Sequence, residues 1–389
     1  MGRKKVAVLG ASGSIGRNAL DVLRFCHDDF DLALASVHSK SVDLAALARE
    51  FPAAAVAASG LSREAVQEAV PSVKKVFGGG PEAVLRALEE IQPDIVINGI
   101  AGSAGLLPSF KSVELGAVLA LANKESVVMA WDALKANAAK TGARIIPVDS
   151  ECSAIFNLAA RHGARHVKRV ILTASGGPFR TYSLEQMSAV TIEKALAHPT
   201  WKMGPKITLD SASLANKGLE VIQISKIMEF SPHIIAVSVH PQSIVHSMLA
   251  MADGAVYAAL SAPDMRLPIH QALHFPALAP SPWGELDFDM ASAPPLTLSF
   301  EKPDMEKFPM LRLAYDAAER GGFYPLAYNT ANEYAGSLFL KGAIPFLDIP
   351  AITSRTLERD WNAPPGAEFD SAAILDAEKS ALAAAKALL

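Results

Sequence analysis

Along the first 148 residues, short apolar runs alternate with stretches in which apolar positions recur every three or four residues. The runs are VAVL (6–9), LALASV (32–37), AAVAAS (54–59), DIVING (94–99), AVLALA (117–122) and RIIPV (144–148). Runs this short between helical patterns predict β-α-β units building a parallel sheet with helices on both faces. Residues 1–148 are therefore expected to form a doubly wound, Rossmann-like α/β domain that binds a nucleotide. From 149 to 275, strand-like segments such as RVILTAS and IIAVSVH mix with polar, Gly- and Pro-containing stretches rich in functional side chains. That mixture predicts a central α+β catalytic domain. Residues 276–300 hold many prolines and little periodicity, the pattern of an extended linker. Apolar residues return at helical spacing in 308–320, 329–341, 350–359 and 370–388, so 301–389 are expected to form a C-terminal helical domain.

Composition narrows the class of partner. The chain has 389 residues, half of them hydrophobic and a fifth charged, with a net charge of −4. This is the balance of a globular protein, and it offers no cationic footprint for nucleic acid. A small-molecule substrate is expected. No run approaches the roughly 20 apolar residues of a membrane helix, so no membrane partner is expected. MGRKKVAVLG passes directly from a basic pair into a strand, without the apolar region and cleavage site of a secretory signal. The two cysteines, Cys26 and Cys152, make no disulfide framework. Both features predict a cytoplasmic protein.

The strand VAVL runs into Gly10-Ala11-Ser12-Gly13-Ser14-Ile15-Gly16, where a helical pattern begins. A glycine turn opening a helix at the first β-α junction presents free N–H groups and a positive dipole end to a pyrophosphate. The same glycines, spaced by three rather than as G-x-G-x-x-G, also fit a tight structural turn. After the second strand stands His38-Ser39-Lys40-Ser41, with no carboxylate to repel a 2′-phosphate, so NADPH is expected over NADH, with Ser39 and Lys40 as candidate contacts. Asn123-Lys124-Glu125 closes another strand on the ligand-binding edge, where it fits both a cofactor contact and a helix start capped by Asn123.

In RIIPVDSE, Asp149 and Glu151 stand two residues apart, and on extended backbone both would project to one side. With a third carboxylate they would suit Mg²⁺ or Mn²⁺; a solvated strand end with a helix cap fits equally. If SASLANKGLEVI is one helix, Ser213, Asn216, Lys217 and Glu220 share a face. Upstream, the segment around 197–206 has the Pro, Gly, Trp201 and Met203 of a lid that lays an indole over a ligand, or of a surface loop with one anchoring Trp. Ser175-Gly176-Gly177 fits an anion nest or a plain turn, and with Ser211, Asn216 and Lys217 it could hold a phosphate. His240, Ser243 and His246 follow on a strand-like run.

Taken in order, GASGSIG, LANKES, PVDSE, ASGGPFR, HPTWKMGPKITLDSASLANKGLE, HPQSIVHS, PDMR and NTANE resemble the motifs of the 1-deoxy-D-xylulose 5-phosphate reductoisomerase family from end to end. The resemblance implies that Asp149, Glu151 and Glu220 bind the metal and, with Lys217, form the catalytic set. It implies substrate contacts from Ser150, Ser175, His198, Ser211, Asn216 and Lys217, with Trp201 as cover and His246 near the phosphate. Ser12, Gly13, Ser14, Ile15, Asn123, Lys124, Glu125 and Met265 would contact NADPH. Two positions depart from the family pattern: Cys152 stands where His is usual, and Asn157 where Gln is usual. The implied activity is the NADPH- and divalent-metal-dependent rearrangement and reduction of 1-deoxy-D-xylulose 5-phosphate to 2-C-methyl-D-erythritol 4-phosphate, in isoprenoid precursor synthesis, by a homodimer. The alternative is another NADP-dependent sugar-phosphate or semialdehyde dehydrogenase. The semialdehyde version requires a catalytic thiol, for which Cys152 is the candidate because Cys26 lies in the first helix. A nucleotide-sensing regulator would need neither the three carboxylates nor the lid.

Overall fold

The computed structural model describes residues 2–286, 296–363 and 370–389. Residues 287–295 of the expected linker lie outside the described residues. In chain order the first elements are β1 (Lys4–Leu9), α1 (Ser14–Phe25), β2 (Phe30–Val37), α2 (Ser41–Glu50), β3 (Ala55–Ala58), α3 (Arg63–Ala69) and β4 (Val76–Phe77). Then come α4 (Glu82–Ile91), β5 (Ile95–Asn98), α5 (Leu106–Glu114), β6 (Val118–Leu121), α6 (Lys124–Thr141) and β7 (Arg144–Pro147). All seven strands are parallel, in the order β4-β3-β2-β1-β5-β6-β7. The chain is α/β with a Rossmann-like sheet, as its alternating pattern predicts. Val6 to Leu9 are wholly buried, because a strand covered on both faces can be apolar throughout. The two-residue β4 was not legible in the sequence, being too short to make a run.

The chain continues through α7 (Ser150–His162), β8 (Val167–Ala174), α8 (Leu184–Ser188), α9 (Ile192–Ala195), α10 (Pro205–Ala212), α11 (Ala215–Met228), β9 (Ile235–Val239), β10 (Val245–Met251), β11 (Val256–Leu260) and α12 (Arg266–His274). It closes with α13 (Pro309–Arg320), α14 (Tyr324–Leu340), α15 (Asp348–Leu357) and α16 (Ser371–Lys386). A second sheet runs β11-β10-β8-β9, with β8 and β9 parallel and β10 antiparallel to both β8 and β11. The chain divides into two compact units: one holds Met1–Ser126, Asp132–Asp149 and Met265–Ser281, the other Val127–Trp131, Ser150–Asp264 and Pro282–Leu389. The helix α12 thus belongs to the first unit.

Three local expectations are corrected. Asp149 and Glu151 do not share an extended strand: β7 ends at Pro147 and Ser150 opens α7, so Glu151 lies in a helix's first turn. A carboxylate there is favoured by the helix's positive end. The segment SASLANKGLEVI is not one helix. Leu214 takes left-handed angles (φ 59°, ψ 12°) between α10 and α11, leaving Ser213 off the face of Asn216 and Glu220. Burial of the Leu214 side chain offsets a conformation that is costly outside glycine. His240 and Ser243 precede β10, which starts at Val245, so of the three residues expected on that run only His246 is in the strand.

Candidate active site

In the first unit every parallel strand ends on the same edge of the sheet, where ligands of such folds bind. The turn after β1 is built for close approach. A Cβ on Gly16 would lie 2.3 Å from the Gly10 carbonyl oxygen, so the helix can start this near the turn only with glycine there. Gly13 caps α1 without a side-chain hydrogen bond, and Ser12 and Ile15 are half-buried while Gly13 and Ser14 are exposed. After the neighbouring β2, His38, Ser39 and Lys40 are all exposed, and the His38 Nδ1 lies 2.9 Å from the Ser59 hydroxyl. Asn123, following β6, caps α6 by accepting from the Ser126 N–H at 2.9 Å. Its amide nitrogen donates to the carbonyls of Ile100 at 2.7 Å and Gly102 at 2.8 Å, tying the loops after β5 and β6 together. The same nitrogen meets a Glu125 carboxylate oxygen at 3.1 Å. Met265 sits half-buried at the N-terminus of α12.

Lys124, which follows Asn123 in the chain, is buried and donates to Asp149 Oδ2 at 2.6 Å. Carboxylate oxygens of Asp149, Glu151 and Glu220 all lie within 4.8 Å of one another. Glu220 is wholly buried. The Lys217 ammonium lies against its Oε2, and 3.7 Å from Glu151 Oε2. Asn216 donates to Glu220 Oε1 at 2.6 Å, while the Ser150 hydroxyl donates to Glu151 Oε2 at 2.8 Å. Three carboxylates this close repel one another unless cations intervene. Their hard oxygen donors fit Mg²⁺ or Mn²⁺ and not a metal preferring thiolate or imidazole.

In the second unit, His198 organises a polar cradle. Its Nδ1 accepts from the backbone N–H groups of Trp201 at 2.9 Å and Thr200 at 3.2 Å. Since Nδ1 accepts, the neutral ring carries its proton on Nε2, which lies 3.0 Å from the Ser175 hydroxyl and 3.1 Å from that of Ser211. Burial lowers the His198 pKa to about 4, so the ring is neutral at pH 7. Gly177 (φ 68°) makes the meeting possible, since a Cβ there would stand 2.6 Å from the Ser211 carbonyl oxygen. Trp201 is half-buried, its ring centroid 6.3 Å from that of His246, whose Nε2 lies 2.9 Å from the Ser261 hydroxyl.

One polar group escaped the sequence reading. Buried Asp210 accepts from Asn332 at 2.8 Å and from Lys206 at 2.9 Å, anchoring α10 to α14. The motif NTANE held the signal, because an amide on the buried face of a helix, as at Asn332, calls for a polar partner. Cys152 is 1% exposed within α7, out of reach of any substrate a catalytic thiol would attack.

Residues 6–131 match the family model described as 1-deoxy-D-xylulose 5-phosphate reductoisomerase, and residues 145–228 match the model of its C-terminal domain. A further model, described as DXP reductoisomerase C-terminal domain, matches residues 260–383. The 1-deoxy-D-xylulose 5-phosphate reductoisomerase of Treponema denticola is 46% identical, covering 94% of this chain and 92% of the relative. That of Chlorobium chlorochromatii is 45% identical, with coverage of 91% and 92%. The solved reductoisomerase of Zymomonas mobilis in complex with NADPH has a TM-score of 0.88 at 35% identity, covering 100% of this chain and 99% of its own. A DOX-P reductoisomerase in complex with NADPH, fosmidomycin and magnesium has a TM-score of 0.90 at 34% identity, with coverage of 99% and 98%.

Proposed function

Because the chain belongs to the 1-deoxy-D-xylulose 5-phosphate reductoisomerase family, we propose that Asp149, Glu151 and Glu220 hold the divalent cation its reaction requires. The activity is the NADPH- and metal-dependent conversion of 1-deoxy-D-xylulose 5-phosphate to 2-C-methyl-D-erythritol 4-phosphate, in isoprenoid biosynthesis. The observation that carries the residue assignment is the approach of the three carboxylates to within 4.8 Å. Bound there, a dication supplies Lewis-acid polarisation of the substrate's oxygens.

The chain's own residues set the rest. Lys124 and Lys217 hold Asp149 and Glu220 in place. Ser175, His198, Ser211 and Asn216 offer neutral donors to the substrate phosphate, with Lys217 as the cation among the substrate contacts and Ser150 as a further one. Trp201, on the lid at 197–206, covers the substrate and excludes water, with His246 behind it. Ser12, Gly13, Ser14 and Ile15 receive the pyrophosphate of NADPH at the start of α1. Ser39 and Lys40 meet its 2′-phosphate, and Asn123, Lys124, Glu125 and Met265 line its other end. In this reading 1–148 is the NADPH-binding domain, 149–275 the catalytic domain and 301–389 the helical domain. The enzyme works in the cytoplasm as a homodimer, and Mn²⁺ can replace Mg²⁺.

The test is NADPH consumption on 1-deoxy-D-xylulose 5-phosphate after chelation. Turnover is expected to vanish and to return with Mg²⁺ or Mn²⁺; full turnover in excess chelator would overturn the metal assignment.

A further inference from the structure

We propose that Cys26, His270 and His274 form a second metal site, a structural one of the zinc type, that clamps α12 onto α1 within the first unit. Cys26 follows α1 directly as its C-cap, its N–H donating to the Val22 carbonyl. His270 and His274 stand four residues apart on α12 and so share one face. One ligand atom from each of the three lies within 4.8 Å of the others. Tetrahedral zinc, with bonds of about 2.0 to 2.3 Å, sets its donors roughly 3.3 to 3.8 Å apart, so side-chain rotations of about 1 Å close the site.

The donor chemistry differs in kind from that of the carboxylate cluster. A thiolate and two imidazoles favour Zn²⁺ over Mg²⁺. Cys26 and His270 are buried, and the His274 side chain is 14% exposed, leaving an entry on one side. The second histidine is held as metal ligands commonly are. Its Nδ1 lies 2.9 Å from the His270 carbonyl, which can only accept, so Nδ1 carries the proton and Nε2 is the nitrogen left to ligate. The ring is fixed edge-on to Phe30, with centroids 5.2 Å apart at 83°. A fourth donor is at hand, since Asp29 Oδ2 lies 3.9 Å from that Nε2. This distance exceeds a hydrogen bond and leaves room for an ion to approach both. The Asp29 N–H donates to the Cys26 carbonyl at 3.0 Å, which ties the fourth donor to the first.

The test uses the full chain with saturating Mg²⁺ to keep the carboxylate set filled, and Co²⁺ as the spectroscopic stand-in for zinc. A thiolate-to-cobalt charge-transfer band is expected at one Co²⁺ per chain, and Zn²⁺ should displace it. Only cysteine can give this band, and the chain's two cysteines are Cys26 and Cys152. The band should persist in Cys152→Ala and disappear in Cys26→Ser. His274→Gln, at the more exposed edge, should weaken cobalt binding by about tenfold or more, and it serves alone if Cys26→Ser fails to fold. No band in the parent protein, a band surviving in Cys26→Ser, or unchanged affinity in His274→Gln would each overturn the site. None of these readouts depends on turnover, so they stand or fall apart from the catalytic assignment.

Discussion

On α11 the ammonium of Lys217 rests on Oε2 of Glu220, one helical turn further along, and that carboxylate is wholly buried. A buried carboxylate persists as an anion only where cations hold it. Glu220→Gln keeps the shape and the hydrogen bond from Asn216 but removes the charge. The variant is expected to fold and to bind NADPH with unchanged affinity, while kcat falls by at least about 10²-fold. Steady-state kinetics with a fluorescence titration of NADPH will check this, and full turnover would remove Glu220 from the chemistry.

Lys40 is exposed just after β2, and no carboxylate stands beside it in His38-Ser39-Lys40-Ser41. Lys40→Asp should move the preference from NADPH toward NADH by about 1 to 3 kcal/mol, the worth of a charge-assisted hydrogen bond. The measurement is the ratio of kcat/KM for the two cofactors. An unchanged ratio would assign the 2′-phosphate to other residues.

His198 gives a pH signature whose sign is fixed by burial. Its pKa falls from 6.5 to about 4 on folding, so between those values the unfolded chain carries the proton and the folded one does not. The contribution of His198 to stability is therefore complete above pH 6.5 and is lost as the pH falls toward 4. In His198→Asn, whose side-chain oxygen can still accept from Thr200 and Trp201, the drop in melting temperature from pH 7 to pH 5 should be smaller than in the parent. Equal drops would mean that the ring titrates normally.

Trp201 has His246 beside it at 6.3 Å and is only half-buried, so much of its indole remains available to a ligand. Trp201→Ala should raise the substrate KM by about tenfold or more, or about 1.4 kcal/mol, and slow turnover. NADPH affinity should stay within about twofold. A variant that unfolds, or that loses NADPH, would make Trp201 a packing anchor.

Except for the two-residue β4, the strands of the large sheet were legible because continuous apolar runs between helical patterns have few other readings. The edge strand β11 was not: its residues are mostly exposed, so Val256 and Tyr257 carry no alternation against a core. The break at Leu214 had no signal either, since neither Gly nor Pro marks it and tertiary burial holds the left-handed residue. Local spacing placed Asp149 and Glu151 near each other for the wrong reason, by pleat instead of by the step from β7 into α7. That Glu220 joins them is a fact of tertiary structure, which only the family resemblance brought within reach of the sequence. The buried Asp210–Asn332 contact, between residues far apart in the chain, shows the same limit.

The return of α12 to the first unit bears on how the protein is made. Residues up to Asp149 leave the ribosome first, but the helix that packs beside α1 is translated only after β11. At ordinary elongation rates of about 5 to 20 residues per second, that is a delay of roughly 6 to 24 s, during which the seven-stranded sheet exists with one helix missing. Synthesis on the ribosome thus imposes a waiting period, in which the face of α1 that ends at Cys26 is open to chaperones.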